Sequence, residues 1–577
     1  MLESACACPS PRVLLEYPSR ASDSDSADSE SAGGESGAAA AGGGDKVEEA
    51  LRLAKSNRNS RTRMFAQAFS SFARRGVFFE STPNLALQVC AALSSPRCAG
   101  APPLSVYAGF DPTAPSLHLG HVGVLMALLR LQRSGLRPIA LIGGATALIG
   151  DPTGRSADRP QLGLETVADN AAQLRAQLAA LLGEACLVVD NARYYEGMSV
   201  INFMRDVGVH FRLSQLLARD SVRGRMGWSG TVAAAAGAEP PQPPNTAPAP
   251  SGGMSYTEFS YSIFQAYDFW VLHKNHGAVL QVGGSDQWGN ITAGVELIRR
   301  LQQQQQRARD APPLVQAHGA VVPLLTNSAG KKFGKSDGAS GPLWLNPSLT
   351  SHHALWQHLL GVEDGDALPL LRSLTLVKEE ELEALSKATL HEPHKKAAQL
   401  RLADEVVGWV RGKEAVREAR HTAKLLHPGS AIWGGEERGG GAGSGANSSD
   451  AVPSDASGGG DGPFAAQRAA LASLRYADLE AMGRANGVSS ARWEASRVRS
   501  GGASVLDALL ALGMVKSKAE GRRLVEGGGV YWNWGRVLEP LKPLAASDFV
   551  EARGAVVNVG RKRSGIVTLV CDDAKEM

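Results

Sequence analysis

Between residues 105 and 325, short apolar runs alternate with longer stretches that have helical periodicity. This alternation is typical of a parallel β-sheet whose strands are connected by covering helices. Ligands of such sheets bind where the strands end. A functional site is therefore expected at the carboxyl ends of the predicted strands, which are residues 105–109, 138–143, 186–189, 279–282 and 320–325.

The first of these strands ends in YAGFD and leads through PTAPSLHLGH into a helical pattern. If the helix begins near Leu119, His118 and His121 lie on one face of its first turn, beside unpaired backbone N–H groups and the positive end of the helix dipole. This arrangement predicts an anion site, and Gly120 would let a flat ring such as adenine approach the backbone. The alternative is an ordinary polar helix start.

A second strand end is followed by KKFGKS, which places Lys332 and Lys335 on a glycine-containing segment. Ammonium groups held there could neutralise charge on a leaving pyrophosphate. Neither GxGxxG nor GxxxxGK[ST] follows a predicted strand. The usual fingerprints of dinucleotide-binding and P-loop proteins are therefore missing.

A polar row interrupts the apolar helix predicted after the motif Ser255-x-x-Glu258. Tyr261, Gln265 and Asp268 recur at positions i, i+4 and i+7, so they share one helix face. Buried polar side chains need hydrogen-bond partners. Either a small polar ligand or an internal hydrogen-bond network would supply them.

Composition excludes several classes of protein. The 577 residues, 43% of them hydrophobic, can form two to four domains. A net charge of only +3 means that nucleic-acid contacts must come from local basic patches. No apolar run approaches the roughly 18 residues of a membrane span. The six cysteines form no CxxC pair, and the sequence HEPH at 391–394 lacks HExxH spacing, so no metal site is predicted.

Shifts in composition also divide the chain. Residues 1–45 are rich in Ser, Ala, Gly and Asp, which predicts disorder. Residues 51–75 are basic and contain no acidic residue, which predicts a targeting segment or, alternatively, a solvated lead-in to the first domain. The predicted segments are an extension (1–63), a Rossmann-like α/β domain (64–346) with low-complexity inserts (230–253 and 302–313), an all-α domain (347–433), a flexible linker (434–463), a connecting helical segment (464–500) and a small α+β domain (501–577).

The last domain has a basic helix. The motifs Ser504-x-x-Asp507 and Ser517-x-x-Glu520 predict two capped helices, followed by a hairpin near residues 530–538. The second helix and its entry predict a surface that binds a phosphate backbone, with a solvated charged face as the alternative. The residues concerned are Lys516, Lys518, Arg522 and Arg523.

Together these motifs resemble one known family. FDPTAPSLHLGH is similar to the HIGH signature, KFGKS is similar to KMSKS, and GGSDQWGN with the row Y-x3-Q-x2-D resembles the amino-acid pocket of bacterial-type tyrosyl-tRNA synthetases of class I. The resemblance runs from about Arg74 to the C terminus and includes a helical anticodon-binding region and an S4-like RNA-binding module. It implies activation of L-tyrosine with ATP and Mg²⁺, without a tightly bound cofactor, and transfer of tyrosine to tRNA(Tyr).

The resemblance also implies roles for individual residues. The expected catalytic residues, which contact the phosphates, are His118, His121, Lys332 and Lys335. The tyrosine pocket is expected to contain Tyr107, Asp151, Tyr261, Gln265, Asp268 and Gln287. The expected ATP-binding residues are Asp111, Gly120, Gly284, Asp286, Lys335 and Ser336.

Two rival interpretations remain. A tryptophanyl-tRNA synthetase shares the fold and signatures, but Asp268 and the S4-like module disfavour it. An RNA-binding or splicing factor that retains an inactive synthetase body is disfavoured by intact HLGH and KFGKS. The low-complexity inserts and the N-terminal extension on a bacterial-type core predict location in a mitochondrion or chloroplast, with the cytoplasm as the alternative. The resemblance also implies a homodimer, and no membrane partner is predicted.

Overall fold

The computed structural model describes residues 52, 59–95, 102–153, 162–219, 222–223, 254–307, 315–325, 342–426, 471, 489–550, 554–560 and 563–570. In these ranges, no helix is long and apolar enough to cross a membrane.

A six-stranded sheet organises the first domain, in the order β1-β6-β5-β2-β3-β4. All five predicted strands are present, and β2 to β6 pair in parallel, which confirms the predicted α/β class. The added edge strand β1 pairs antiparallel with β6 and is too short to leave a periodic signal. The strands are β1 (Glu80–Ser81), β2 (Ser105–Phe110), β3 (Arg137–Ile142), β4 (Leu187–Asp190), β5 (Ala278–Gly284) and β6 (His318–Val322).

Helices pack on this sheet through apolar faces. On α3, Leu125 and Leu128 are fully buried, as the helical spacing of apolar residues predicts. Ser255 caps α9 by accepting a hydrogen bond from the N–H of Glu258, which confirms the predicted start of that helix. The helices are α1 (Ser60–Arg75), α2 (Leu85–Ser94), α3 (Val122–Arg133), α4 (Thr146–Ile149), α5 (Leu164–Leu182), α6 (Ala192–Tyr195), α7 (Val200–Asp206), α8 (Leu213–Leu217), α9 (Tyr256–His276) and α10 (Trp288–Arg307).

The strand order reverses beside β2. The chain passes from β2 to β3 and β4 on one side, and later fills the other side with β5 and β6. Tyr107 on β2 pairs in register with Gln281 on β5 at this reversal. The crevice beyond the carboxyl ends of β2 and β5 is therefore the expected ligand position in a sheet of this topology.

A helical region follows the sheet and docks on α3. Its helices are α11 (His352–Leu360), α12 (Asp364–Leu374), α13 (Glu379–His391), α14 (Ala397–Arg411) and α15 (Lys413–Leu426). The buried guanidinium of Arg130 on α3 donates hydrogen bonds to the carbonyls of Arg372, Ser373 and Thr375, 2.6–3.1 Å away. These bonds satisfy carbonyl groups that the end of α12 leaves without helical partners.

The C-terminal domain has its own five-stranded sheet, in the order β7-β11-β10-β8-β9, and its own core. A tight turn at Asn533 and Trp534, both with positive φ, joins β8 to β9 and confirms the predicted hairpin. The elements are β7 (Ser489–Glu494), α16 (Ala495–Arg499), α17 (Val505–Ala511), α18 (Lys518–Glu526), β8 (Val530–Trp532), β9 (Gly535–Arg536), β10 (Gly554–Val559) and β11 (Arg563–Val570).

Three predicted boundaries differ from the structure. Helix α1 begins at Ser60, so residues 60–63 belong to the fold and not to the extension. The predicted insert at 302–313 begins as helix, because α10 continues through a glutamine run that favours helix. Residues 489–494, predicted as part of a helical connection, form β7, which pairs in parallel with the distant β11.

The remaining predicted inserts and linkers, residues 230–253, 308–313 and 434–463, lie outside the described residues.

Candidate active site

A hydrogen-bonded network joins the carboxyl ends of three neighbouring strands to α9. Asp111, after β2, accepts hydrogen bonds from the Tyr261 hydroxyl and the Thr146 hydroxyl, each at 2.8 Å. The Asn191 amide, after β4, donates to Thr146 Oγ1 at 3.0 Å and to Asp268 Oδ2 at 3.2 Å. The structure therefore brings together the predicted residues Asp111, Tyr261 and Asp268.

The hydroxyl of Tyr107, whose side chain is completely buried on β2, has no hydrogen-bond partner in the described part of the chain. The same is true of Oε1 of Gln281, which pairs in register with Tyr107 on β5. The Tyr107 ring packs edge-on against Phe269, with 5.0 Å between ring centroids. Burying an unpaired hydroxyl is costly, and a polar ligand group would remove that cost.

The carboxyl group of Asp268 has an unusual environment. Burial raises its pKa to about 7, against the hydrogen bonds that it accepts, which lower it. Burial and the charges of Asp111 and Asp151 also raise the pKa of Tyr261 well above its ordinary value, so its hydroxyl remains a donor at neutral pH. The polar row on α9 thus includes a buried acceptor and a buried donor.

Asp151, which follows α4, forms a second polar position. It accepts hydrogen bonds from Gln287 Nε2 at 2.7 Å and from the Thr153 backbone N–H at 3.0 Å. Gln265, the middle member of the polar row, is half-buried. Asp151 and Gln287, two of the predicted tyrosine-binding residues, are therefore in direct contact.

Gly284 ends β5 beside the predicted ribose-binding Asp286. A Cβ at position 284 would lie 2.6 Å from Asp286 Oδ1, so a side chain there would collide with this carboxylate. A short 3₁₀ turn, Ser285–Gln287, then turns the chain into α10. The glycine is required by packing against Asp286, in addition to any role in leaving space for a ligand.

The two histidines of HLGH stack, with 3.9 Å between ring centroids. Nδ1 of His118 accepts from the Gly120 N–H, and Nδ1 of His121 accepts from the His118 N–H, each at 3.1 Å. These bonds assign the proton of each neutral ring to Nε2. Burial, with His118 nearby, lowers the pKa of His121 well below its ordinary value, so its ring is neutral at pH 7.

One part of the predicted anion site is wrong. Free N–H groups were expected in the first turn, but the N–H groups of Leu119, Gly120 and His121 all have partners. The turn is a 3₁₀ helix, Leu119–His121, and α3 begins only at Val122. Among the groups of this turn, the imidazole Nε2 atoms and not the backbone N–H groups are therefore the expected donors to a phosphate.

The segment around Trp344 pairs with the HLGH backbone. The N–H of Leu119 donates to the carbonyl of Leu343, and the N–H of Leu345 donates to the carbonyl of Leu117. Arg411, at the end of α14, holds the same segment by donating to the carbonyls of Trp344 and Leu345 at 3.0 and 3.1 Å. The sequence KFGKS precedes this segment, but Lys332, Lys335 and Ser336 lie outside the described residues.

All four predicted RNA-binding residues, Lys516, Lys518, Arg522 and Arg523, are exposed on and before α18. Lys518 forms an ion pair with Asp507 at 2.8 Å. Its charge is partly neutralised within the domain, so the exposed basic surface is smaller than the sequence indicates.

Sequence reasoning missed four side chains of the network: Thr146, Asn191, Tyr194 and Tyr195. The two tyrosine hydroxyls donate to Asp268 Oδ1 at 2.7 and 3.0 Å. All four follow strands that were predicted correctly, so their position after β3 and β4 was an available signal. Their pairing with residues 35 to 77 positions away was not.

Comparison with known proteins agrees with this geometry. Residues 100–427 match the family model "tRNA synthetases class I (W and Y)", and residues 506–550 match the "S4 domain" model. The chain therefore belongs to the class I tRNA synthetases of the tryptophan and tyrosine group, with an S4 domain near its C terminus.

Its relatives identify the member of that group. Tyrosine–tRNA ligase of Roseiflexus castenholzii is 36% identical over 472 residues, covering 81% of this chain and 93% of the relative. The enzyme of Nocardia farcinica is also 36% identical, over 85% of this chain and 95% of the relative. The chain belongs to the tyrosine–tRNA ligases of bacterial and mitochondrial type.

A solved structure supports the fold. The C-terminally truncated mitochondrial tyrosyl-tRNA synthetase of Aspergillus nidulans has a TM-score of 0.51 and 26% identity, and it aligns over 67% of this chain and 99% of that chain.

Proposed function

We propose that the crevice beyond β2 and β5 binds L-tyrosine and ATP for the tyrosine–tRNA ligase reaction. The tyrosine carboxylate attacks the α-phosphorus of ATP, which forms tyrosyl-adenylate and releases pyrophosphate. A ribose hydroxyl at the 3′ end of tRNA(Tyr) then attacks the acyl carbon, and AMP leaves. The observation that best supports this proposal is the buried Asp268 carboxylate near the hydroxyl of Tyr107, which has no hydrogen-bond partner among the described residues.

Asp268 and Tyr107 can recognise the phenolic hydroxyl together, because a hydroxyl both donates and accepts. Phenylalanine would leave these buried groups without a ligand partner, a type of rejection for which tyrosyl-tRNA synthetases are a standard example. Asp151, Tyr261 and Gln265 would bind the ammonium group of the substrate tyrosine. Gln287 contacts Asp151 and would bind the neighbouring carboxylate of the same substrate.

The first step requires no general base, because the tyrosine carboxylate is ionised at neutral pH. Catalysis then consists of positioning and stabilisation of charge on the phosphates. His118 and His121 can donate from Nε2, and Lys332 and Lys335 would stabilise the leaving pyrophosphate. Asp111, Gly120, Gly284, Asp286 and Ser336 are proposed to complete the ATP site.

Mg²⁺ is proposed to enter with ATP. Within the described ranges, no group of three or more His, Cys, Asp or Glu side chains could hold a metal ion. The ATP phosphates would therefore supply ligands for Mg²⁺, as in many nucleotide-dependent enzymes.

The S4 domain is proposed to bind the phosphate backbone of tRNA(Tyr) through Lys516, Arg522 and Arg523, with a smaller contribution from Lys518. Reversal of the charges of Arg522 and Arg523 should weaken tRNA charging and leave tyrosyl-adenylate formation unchanged. Charging by the native chain should weaken as salt is added, because phosphate contacts release counterions. Equal charging by native and reversed proteins would contradict this role.

A second copy of the chain is the proposed partner of an apolar surface on α7, α8 and the turn between them. Five exposed apolar side chains lie within residues 200–213. Exposed apolar residues are usually scattered singly over a surface, whereas a group of them marks an interaction site. They are Val200, Ile201, Met204, Val209 and Leu213. Light scattering of the native chain and of Ile201→Lys tests this homodimer, which the substitution should dissociate.

The proposed location is a mitochondrion or chloroplast, with the cytoplasm as the alternative. The support is the basic segment before and within α1, which lacks acidic residues between residues 51 and 75. A fusion of residues 1–75 to a fluorescent protein tests this proposal. Uniform cytoplasmic fluorescence would favour the alternative.

ATP–pyrophosphate exchange tests the pocket directly. Tyrosine should support exchange, whereas tryptophan and phenylalanine should not. Comparable exchange with tryptophan would contradict the proposed roles of Tyr107 and Asp268, and no exchange with any amino acid would favour an RNA-binding protein that has lost the activity.

A further inference from the structure

The Asp268 carboxylate accepts hydrogen bonds from three protein side chains. Tyr194 and Tyr195 both donate to Oδ1, at 2.7 and 3.0 Å, and Asn191 donates to Oδ2 at 3.2 Å. The two tyrosines are adjacent in α6, the single helical turn that follows β4. They belong to none of the signature motifs of the family.

The number of acceptor positions limits what else Asp268 can bind. A carboxylate offers about four lone-pair positions, so three protein donors leave about one for a ligand. The two tyrosines use Oδ1, which leaves the remaining position on Oδ2. A substrate hydroxyl that donates to Oδ2 would therefore meet a carboxylate whose orientation is already fixed.

The charges around this carboxylate oppose its ionisation. Burial, with a smaller contribution from the nearby Asp111, raises the pKa of Asp268, and the hydrogen bonds from Tyr194, Asn191 and Tyr195 lower it, so that the pKa lies at about 7. The other titratable side chains coupled to Asp268 are the phenols of Tyr107, Tyr261 and Tyr267. No cation contributes to the shift of Asp268 among the causes found in the described residues, so hydroxyl and amide donors oppose the effect of burial.

The hydroxyls of Tyr194 and Tyr195 stay protonated, so they remain hydrogen-bond donors to Asp268. Burial, followed by the charge of Asp268, raises the pKa of both hydroxyls well above the ordinary value of 10. They therefore keep their protons across the pH range in which Asp268 titrates. Without them, the pKa of Asp268 would rise above about 7, so a larger fraction of the group would be protonated at neutral pH. A protonated carboxyl group donates to a ligand as well as accepting from it.

We propose that Tyr194 and Tyr195 are positioning residues for amino-acid selection: their hydroxyls fix the Asp268 carboxylate so that one acceptor position faces the substrate hydroxyl. The pair acts through Asp268. The proposal rests on the assignment of the tyrosine pocket to Asp268 and Tyr107.

A purely structural role is the alternative, because Tyr195 also belongs to an aromatic cluster. Its ring lies 5.5 Å from that of Phe264 and 5.8 Å from that of Tyr267, measured between centroids. Its hydroxyl also donates to the Phe264 carbonyl at 2.9 Å. Replacement by phenylalanine keeps the ring and removes only the hydroxyl, which separates the two roles.

The test compares Tyr194→Phe, Tyr195→Phe and the double variant with Tyr267→Phe. Tyr267 is a matched control, because its ring contacts both tyrosines but its hydroxyl has no hydrogen bond to Asp268. Pyrophosphate exchange with tyrosine and with phenylalanine is measured between pH 6 and pH 9, together with the thermal unfolding midpoint of each protein.

Each Tyr→Phe change at 194 or 195 should raise the KM for tyrosine by about tenfold, the usual effect of losing one hydrogen bond to a charged group. The kcat should remain within about twofold, and discrimination against phenylalanine should decrease. The pH midpoint of the KM should move upward, so that raising the pH restores tyrosine binding. Tyr267→Phe should behave as the native chain in all these respects.

Three results would overturn the proposal. One is an unchanged KM in both single variants. Another is a raised KM that pH does not restore, which would indicate a structural role. The third is a lower KM in Tyr194→Phe, which would show that this hydroxyl competes with the substrate. If the double variant does not fold, the single variants decide the question.

Absence of tyrosine-dependent exchange in the native chain would instead refute the pocket assignment itself.

Discussion

Arg130 joins the sheet domain to the helical region, and its removal should destabilise both. Its guanidinium, buried on α3, donates to three carbonyls at and after the end of α12. Burial and the nearby Arg75 lower its pKa to about 9, so it remains charged at neutral pH. Arg130→Met keeps an apolar side chain of similar length but leaves the three carbonyls without this donor.

The expected magnitude follows from two opposing effects. Each hydrogen bond to a charged group contributes about 1.5–3 kcal/mol, whereas methionine removes the cost of burying a charge. A net loss of about 3–5 kcal/mol is therefore expected for Arg130→Met, because the relief of the buried charge offsets part of the about 4.5–9 kcal/mol that three such bonds contribute. Such a loss would lower the urea midpoint by about 1–2 M.

Urea unfolding followed by circular dichroism measures this effect. The matched control is Arg133→Met on the same helix, because Arg133 is exposed. It should change the free energy of unfolding by less than about 0.5 kcal/mol. Equal midpoints for the two variants would refute the reasoning, since they would show that the three carbonyl contacts contribute nothing to the docking of the helical region.

Other changes test the site. Asp268→Asn should weaken discrimination between tyrosine and phenylalanine in pyrophosphate exchange, because an amide donates as well as accepts. The pKa of Asp268 in the folded protein, about 7, lies above its ordinary value of 3.8, so ionisation of this group lowers the free energy of unfolding as the pH rises from 3.8 to 7. The urea midpoint of the native chain should therefore decrease between pH 5 and pH 8, and Asp268→Asn should lack this part of the decrease. Lys335→Ala should slow adenylate formation by about 10²–10³ with little change in tyrosine affinity, measured by stopped-flow fluorescence. Deletion of residues 231–251 should leave pyrophosphate exchange within a few-fold of the native rate, because their composition does not predict a packed core.

The sequence was most informative where local periodicity and burial agree. The strands β2 to β6 were predictable because each is an apolar run bounded by glycine or polar residues, and the start of α9 was predictable from Ser255 and Glu258. The polar row on α9 also follows from spacing alone. By contrast, the two-residue β1 and the parallel pairing of β7 with β11 depend on partners distant in the chain, and no local pattern encodes them.

The electrostatic details of the site required the structure. The spacing of His118 and His121 indicated a shared face, but it could not show that both Nδ1 atoms bind backbone N–H groups. The row of Tyr261, Gln265 and Asp268 left a ligand and an internal network as alternatives. The structure shows an internal network for Tyr261 and Asp268. A ligand stays a proposal, supported by the buried Tyr107 hydroxyl on β2, which has no partner among the described residues.

The pairing of residues 343–345 with residues 117–119 has a mechanical consequence. The KFGKS sequence is followed within a few residues by a segment tied to the backbone that carries His118, and Arg411 ties that segment to the last turn of α14. A shift of α14 relative to the sheet must therefore break the Arg411 hydrogen bonds or pull the histidine-bearing backbone with it. Strain generated in the helical region would thus reach the backbone that carries His118 through the guanidinium of Arg411.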